Sequence, residues 1–158
     1  EIAERKGALH FLDAGGKYLK GAFPSSAFFL KPNKEEILGL YSEEDTGKEE
    51  QFLTLSRRLQ KETGGNLLVT LGGDGALFLN DRTALQCKVP QVEVVSTIGS
   101  GDSTVAGFVH GCQKGFPLED SIRFALASGT VNAMHREVGA VTKEEVEKLL
   151  PLILLSSL

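Results

Sequence analysis

Short apolar runs alternate along the chain with stretches whose apolar residues recur every three or four positions. Residues 66–71 form an almost continuous apolar run, which is typical of a strand buried on both faces of a parallel sheet. Within residues 49–63, by contrast, Phe52, Leu55 and Leu59 lie at helical spacing. Strands separated by helices predict an α/β fold, in which helices cover a sheet.

The same alternation predicts elements along the whole chain. Strands are predicted at residues 8–13, 27–30, 66–71, 76–79, 84–87 and 92–95, with a hairpin turn at 80–82. Helices are predicted at residues 34–40, 49–63, 103–114 and 118–135, and a last one begins at Thr142. The apolar tail at 149–155 is too short to span a bilayer, and we expect it to be the packed end of that last helix.

Capping residues mark where several of these helices begin and end. Asn33 precedes the helix at 34–40 and is a favoured N-cap residue. Thr142 and Glu145 have the spacing of a capping box at the last helix. Gly115 follows the helix at 103–114, and glycine is the residue that most often ends a helix.

The composition is that of an ordinary globular protein, since 41% of the 158 residues are hydrophobic and 24% are charged. This length suits one domain with its own hydrophobic core. A net charge of −4, without a dense run of Lys or Arg, argues against a nucleic-acid partner. Cys87 and Cys112 lie far apart and form no CxxC pair, so we predict free thiols in a reducing compartment.

The first residues bear on location and completeness. No signal peptide opens the chain, which together with the free thiols predicts a cytoplasmic enzyme without membrane association. Residues 1–7 resemble the end of a helix, and a predicted strand follows at once. We therefore expect the chain to be a piece of a longer protein.

The strongest local signal for chemistry is Gly99-Ser100-Gly101-Asp102, between a predicted strand and a predicted helix. The glycines allow a sharp turn with outward-facing N–H groups, and these groups form an anion site together with the helix dipole. A bound phosphate would repel a carboxylate there, so Asp102 suggests a base for an attacking hydroxyl. The alternative is that Asp102 is only the N-cap of the helix. Neither a Walker A loop nor a GxGxxG fingerprint occurs.

A second signal is the segment 70–75, Thr-Leu-Gly-Gly-Asp-Gly, at the end of the longest buried run. Ligands of open α/β sheets collect outside the carboxyl ends of the strands. Glycines at this place would allow a nucleotide to approach the backbone closely. The alternative is a plain β-turn, which the same residues favour.

A third signal is the segment 31–36, Lys-Pro-Asn-Lys-Glu-Glu. Asn33 and Glu36 share one face of the first helical turn, where an amide oxygen and a carboxylate could hold a hydrated Mg²⁺ ion. The alternative is a capping box with no ligand. Lys31 could approach a phosphate, although an exposed lysine is the simpler expectation.

Occurring together and in this order, the three motifs resemble the ribokinase-like (PfkB) family of sugar kinases. The matching segments are 13–16 (DAGG), 31–36 (KPNKEE), 70–75 (TLGGDG), 97–111 (TIGSGDSTVAGFVHG) and 124–130 (FALASGT). Within the family, the branch of tagatose-6-phosphate kinase and 1-phosphofructokinase is the most similar. The resemblance implies a ribokinase-like three-layer α/β/α sandwich, of which this chain would be the nucleotide-binding half.

The resemblance also implies roles for individual residues. Asp102 would be the catalytic base, and the backbone of Gly99, Ser100 and Gly101 would be the anion hole for the transferred phosphoryl group. The implied nucleotide-binding residues are Thr70, Gly72, Gly75 and Asn132. The implied metal residues are Asn33 and Glu36, which would hold Mg²⁺ through water. ATP and a sugar phosphate would be the substrates.

The family carries an N-terminal half with the sugar-binding residues and a small lid, and residues 1–158 contain no match to it. We therefore expect the isolated chain to be inactive or nearly so, and the intact enzyme to be active. For the intact enzyme, a homodimer is the expected assembly. Two alternatives stay open. One is a non-catalytic nucleotide-binding relative, and the other is a nucleoside or vitamin kinase of the same superfamily.

Overall fold

A computed structural model of the chain describes residues 2–15, 18–19, 28–41 and 49–158. The chain divides into two compact units. The first comprises Glu1–Gly72, Ala76–Leu85 and Ser157–Leu158, and the second comprises Gly73–Gly75 and Gln86–Ser156. The strand order in the sheet follows the chain, β1-β2-β3-β4-β5-β6.

The first unit combines parallel strands with amphipathic helices. Its helices are α1 (Ile2–Arg5), α2 (Lys34–Leu40) and α3 (Glu49–Thr63), and its strands are β1 (Phe11–Leu12), β2 (Phe29–Leu30), β3 (Asn66–Thr70) and β4 (Ala76–Leu79). β1, β2 and β3 pair in parallel, with Phe11 opposite Phe29 and Leu30 opposite Leu67. β4 pairs antiparallel with β3, so the sheet is mixed.

The core of this unit lies between its helices and its strands. Phe52, Leu55 and Leu59 of α3 are all buried, as their spacing predicts. They pack in one cluster with residues of α2 and of the strands, among them Ile37 and Leu67. Because β3 is buried on both faces, its sequence shows no alternation of polar and apolar residues.

The first predicted strand is shorter than its sequence suggests. Only Phe11 and Leu12 are extended and paired, whereas Ala8 and Leu9 are exposed. The polar stretch after it, which includes Gly16, lies largely outside the described residues, and so do residues 42–48. The predicted helices at 34–40 and 49–63 have the predicted bounds.

The second unit is mostly helical. It contains α4 (Ser100–Lys114), α5 (Leu118–Ala133) and α6 (Lys143–Leu149), and 3₁₀ turns occupy Gly72–Asp74 and Leu150–Leu152. The last strands of the chain are β5 (Ala84–Lys88) and β6 (Leu154–Ser157). Within the described ranges, no helix has both the length and the apolar character needed to cross a membrane.

Helices α4 and α5 pack closely because small residues line their contact. A Cβ added at Gly107 would lie 2.7 Å from the Ser128 hydroxyl, and one added at Gly111 would lie 2.6 Å from the Ser121 hydroxyl. Either substitution would force the helices apart. This close approach brings the start of α4 next to the last turns of α5.

Two predictions for the second unit are wrong. Residues 92–95 are not a strand, because Val94 and Val95 are exposed and the Val95 amide bonds the Ala133 oxygen at the end of α5. The tail at 149–155 does not continue the last helix either. A 3₁₀ turn that contains Pro151 ends α6 and leads into β6, since proline cannot donate a helical hydrogen bond.

Candidate functional site

The start of α4 lacks a side-chain cap. Its N-cap residue is Gly99, in the left-handed conformation with φ 79° and no side-chain hydrogen bond. The Ser100 amide donates to the Thr97 oxygen (3.2 Å), and the Ser103 amide donates to the Gly99 oxygen (2.9 Å). The Gly101 amide lies between these two in the sequence, in the first helical turn, where an α-helix offers no intrahelical acceptor. The positive end of the helix dipole adds to their attraction for an anion.

Asp102 is the third residue of α4, and its side chain is exposed. The interpretation of Asp102 as the N-cap residue is therefore wrong, because Gly99 holds that position. Among the described residues, no hydrogen bond or ion pair to the Asp102 carboxylate is formed. The carboxylate thus belongs to the first turn of α4 and is available to a ligand.

Asn132 supports this turn from the last turns of α5. Its side chain is 1% exposed, and Nδ2 donates to the Ile98 oxygen (2.8 Å) and to the Ser100 hydroxyl (3.1 Å). Oδ1 accepts from the Gly139 amide (2.8 Å) and from the Ser103 hydroxyl (3.3 Å). A buried asparagine needs hydrogen-bond partners. A polar residue on the buried face of the predicted helix is therefore the sequence signal that could have predicted these contacts.

Within the segment 70–75, Gly72–Asp74 form a 3₁₀ turn. Thr70 ends β3, and Gly72 and Gly75 have φ values of 61° and 98°. At Gly75 a Cβ would collide with the Cys87 oxygen. Glycine is therefore required at Gly75 by both its backbone conformation and its surroundings.

Asn33 and Glu36 form a complete capping box at the start of α2. The Glu36 amide donates to Asn33 Oδ1, and the Asn33 amide donates to Glu36 Oε2, both at 2.8 Å. Asn33 also forms a parallel β-bridge with Thr70, whose amide donates to the Pro32 oxygen (3.0 Å). The structure thus places Asn33 of one motif beside Thr70 of another within the first unit.

Gly15 of the DAGG segment also lies against this helix start. A Cβ added at Gly15 would lie 2.5 Å from Glu36 Oε1. Lys31 is 5% exposed, and its ammonium pairs with Asp13 Oδ1 at 3.2 Å. The expectation of an exposed Lys31 is therefore wrong. The sequence contained both residues of this pair, but only the parallel pairing of β1 with β2 places them side by side.

No group of three His, Cys, Asp or Glu side chains in the described part of the chain could hold a metal ion. Glu36 Oε2 is engaged in the capping box, which leaves Oε1 as the carboxylate oxygen of the motif that could face a cation. Mg²⁺ commonly binds through one or two carboxylates, with water and substrate phosphates completing its shell. One carboxylate oxygen fits that pattern but does not form a site alone.

The cysteines take no part in this chemistry. Cys87 and Cys112 are both free thiols. Burial raises the pKa of Cys87 to about 12, against a smaller opposing effect of the Arg123 charge. Burial also raises the pKa of Cys112. Neither thiol has the lowered pKa of a nucleophilic cysteine.

The chain is similar to known sugar kinases over most of its length. The profile of the pfkB family of carbohydrate kinases matches residues 1–145. Over 151 residues the chain is 33% identical to a 1-phosphofructokinase from Bacillus subtilis, which covers 96% of the chain and 49% of that relative. Over 151 residues it is 28% identical to a tagatose-6-phosphate kinase from Staphylococcus epidermidis, covering 94% of the chain and 48% of the relative.

A solved structure has the same fold. The crystal structure of a provisionally assigned phosphofructokinase from Staphylococcus aureus matches with a TM-score of 0.89 and 31% identity, over 99% of the chain and 50% of that protein. The expected ribokinase-like α/β fold is thereby confirmed. The chain spans about half the length of the relatives that it matches.

Proposed function

Because the chain belongs to the pfkB family of carbohydrate kinases, we propose that it is the catalytic part of an ATP-dependent kinase of a sugar phosphate. The acceptor would be a hydroxyl of a fructose-1-phosphate or tagatose-6-phosphate type of substrate. The names of two relatives, 1-phosphofructokinase and tagatose-6-phosphate kinase, support this substrate class. ATP is the co-substrate that a kinase family implies.

The start of α4 is the observation that carries the proposed mechanism. Gly99 provides no side-chain cap, and the first-turn amide of Gly101 has no intrahelical acceptor. A phosphoryl group in transfer carries negative charge on three equatorial oxygens. Preorganised amides stabilise such charge without having to reorient during the reaction. In this proposal the backbone of Gly99, Ser100 and Gly101 forms the anion hole, with the donors taken from the N–H groups that the turn does not use.

Asp102 is proposed as the general base. Its exposed carboxylate would accept the proton of the sugar hydroxyl while the hydroxyl oxygen forms a bond to the γ-phosphorus. The bond between that phosphorus and the β,γ-bridging oxygen breaks, and ADP leaves with the bonding electrons. A protein that only binds nucleotide does not need a carboxylate next to its phosphate-binding amides.

The nucleotide loop and the metal residues complete the proposal. Thr70, Gly72 and Gly75 would let the nucleotide approach the backbone, as their positions at the carboxyl end of β3 suggest. Asn33 and Glu36 would hold Mg²⁺ through water, with Glu36 Oε1 as the oxygen that the capping box leaves. When bound, Mg²⁺ supplies positive charge that neutralises the phosphates.

The remaining features concern the whole protein. We propose that residues 1–158 are the C-terminal part of an enzyme whose other half binds the sugar, because the relatives are about twice as long. The isolated chain would then transfer phosphate to a sugar slowly or not at all. The two free thiols support a reducing compartment such as the cytoplasm. A homodimer of the intact enzyme is also proposed, and sedimentation of that enzyme tests it.

Substitution of the base tests the mechanism. In a full-length enzyme, Asp102→Asn should keep ATP affinity and lower kcat by about 10²-fold or more, the scale of a general base. The matched control is Glu119→Gln, which removes an acid from the first turn of α5. Unchanged turnover in Asp102→Asn, or an equal loss in Glu119→Gln, would refute the assignment.

The non-catalytic alternative makes a different prediction. A pure nucleotide-binding relative would bind ATP and show no Mg²⁺-dependent ATP hydrolysis that depends on Asp102. A nucleoside or vitamin kinase would show such hydrolysis but would accept no sugar phosphate. Comparing fructose-1-phosphate, tagatose-6-phosphate and a nucleoside as acceptors therefore separates the three possibilities.

A further inference from the structure

Asn132 has no hydrogen-bonding capacity left for a ligand. An asparagine amide has two N–H donors and a carbonyl oxygen with two lone pairs. In this protein both donors are used, on the Ile98 oxygen and the Ser100 hydroxyl. Both lone pairs are used as well, on the Gly139 amide and the Ser103 hydroxyl. A direct bond to a nucleotide base would require one of these four bonds to break.

The partners of Asn132 lie on both sides of the Gly99 turn. Ile98 and Ser100 are the residues immediately before and after Gly99, so Nδ2 holds the peptide oxygen that precedes the left-handed residue and the side-chain hydroxyl that follows it. On the far side, Oδ1 holds the Gly139 amide, and the neighbouring Val138 side chain packs so closely on Gly99 that it leaves no room for a Cβ. Asn132 thus joins two loops through one buried amide.

A second bond from the same helix pair holds the turn in place. The Thr104 hydroxyl donates to the Ser100 oxygen at 2.8 Å. Gly129 makes room for this bond, because a Cβ there would collide with the Thr104 hydroxyl and lie 3.0 Å from the Ser100 oxygen. The Thr104 hydroxyl therefore holds the Ser100–Gly101 peptide, which carries the Gly101 amide, while Asn132 holds the Ser100 side chain.

We propose that Asn132 is a positioning residue that aims the first-turn amides of α4 at the transferred phosphoryl group, rather than a residue that contacts the adenine. The inference rests on the proposed function only in naming that anion. Loss of the Asn132 amide would let the Ile98–Ser100 turn relax. The amides that follow would then bind phosphate poorly, while any base-binding surface would be unchanged.

The two roles of Asn132 differ in the ligands whose affinity they affect. Asn132→Ala and the nearly isosteric Asn132→Asp are compared with the wild-type protein for binding of ATP, ADP and adenosine, and thermal unfolding monitors the fold. We expect Asn132→Ala to weaken ATP binding by about 10-fold, the scale of buried hydrogen bonds lost together, and to leave adenosine binding unchanged. Asn132→Asp should behave similarly, since a carboxylate cannot donate to the Ile98 oxygen.

A matched control and a ligand-free readout complete the test. Ser103→Ala removes only the longest of the four bonds and should alter ATP affinity least. In ¹⁵N spectra without nucleotide, Asn132→Asp should shift the amide resonance of Gly101, which reports the turn itself. If the wild-type protein bound ATP no more tightly than adenosine, the proposed function would be refuted. The spectra would still show whether Asn132 positions the turn.

Two results would overturn the inference. One is an equal loss of adenosine and ATP affinity in a folded Asn132 variant, which would mean that the side chain contacts the base. The other is an unchanged Gly101 resonance together with unchanged ATP affinity in both variants. If Asn132→Ala fails to fold, Asn132→Asp carries the same comparison.

Discussion

The starts of α2 and α4 differ in whether a side chain accepts a hydrogen bond from the first helical amides. At α2, the side chains of Asn33 and Glu36 cap the helix reciprocally, with both bonds at 2.8 Å. At α4, the N-cap is Gly99, which has no side chain to offer. The difference teaches that the capping box gives side-chain acceptors to two first-turn amides of α2, those of Asn33 and Glu36, whereas no side chain bonds the first amides of α4, which leaves them for an anion.

The two starts also differ in what holds them. The capping box at α2 is local, because its partners are three residues apart. The turn at α4 is held from a distance, by Asn132, which lies 34 residues beyond Ile98. An open anion site cannot stabilise its own backbone, so neighbouring elements have to do so.

The largest expected effect comes from removing one amide at each helix start. Gly101→Pro deletes a single N–H at a first-turn position that tolerates proline, and loss of one preorganised donor lowers kcat by about 10²–10³-fold. Glu35→Pro deletes the corresponding amide of α2, the second residue of that helix. We expect it to change kcat no more than about twofold.

Steady-state kinetics of a full-length enzyme with each variant provide the measurement. Circular dichroism must show that both proteins are folded. If the two prolines lower kcat equally, the proposal that the first-turn amides of α4, and not those of α2, hold the phosphoryl group is wrong.

The next effect concerns a glycine in each helix region. Gly99 has φ 79°, and a Cβ there would collide with the Val138 side chain, so Gly99→Ala should lower the free energy of unfolding by about 2 kcal/mol. Gly39 lies inside α2 with no atom within 4 Å of an added Cβ. Gly39→Ala should therefore raise that free energy by about 0.5–1 kcal/mol.

Urea denaturation measures both changes. The double variant Gly99→Ala/Val138→Ala separates the collision from the backbone strain, because only the strain persists in it. A stabilising Gly99→Ala would show that the turn does not need its left-handed residue.

A smaller effect is expected from the cap of α2. Asn33→Ala removes the acceptor for the Glu36 amide and should cost about 1 kcal/mol of unfolding free energy. Asn33→Ser keeps an N-cap oxygen and should lose much less. Urea midpoints of the two variants decide this, and equal values would mean that the capping bond contributes nothing.

The smallest effect concerns a third helix start, that of α6. The Thr142 hydroxyl, and after it His135, hold the pKa of Glu145 below its ordinary value. A lowered folded pKa contributes stability above the unfolded pKa, and this contribution is lost as pH falls through the folded pKa. Thr142→Val should raise the pKa of Glu145, and Thr142→Ser should not. Titration of the Glu145 carboxyl resonance by NMR checks this, and a pKa that is the same in all three proteins contradicts it.

Helices with strong local signals could be predicted from the sequence. The bounds of α2 and α3 agree with the prediction because their signals are local. Asn33 caps α2, and α3 has a helical repeat of apolar residues followed by two glycines. The strand at β3 was also predicted well, since burial on both faces leaves a continuous apolar run.

Segments whose partners are distant could not be predicted in this way. The sequence around Val94 and Val95 favours a strand, yet the Val95 amide bonds the end of α5 instead. Lys31 reads as a surface residue, yet the parallel strands bury it beside Asp13. In both cases the hydrogen-bond or charge partner lies far away in the chain, and no local pattern records it.

The sequence by itself determined the alternation of helices and strands, the capping box at Asn33 and the glycine turn before Asp102. These features depend on intrinsic backbone preferences and on partners within one helical turn. Only the tertiary structure decided that Asn132 uses all of its amide hydrogen bonds within the protein, two of them on Ile98 and Ser100 beside that turn. The reason is that a buried polar side chain takes whichever donors and acceptors the packed helices bring within about 3 Å of it.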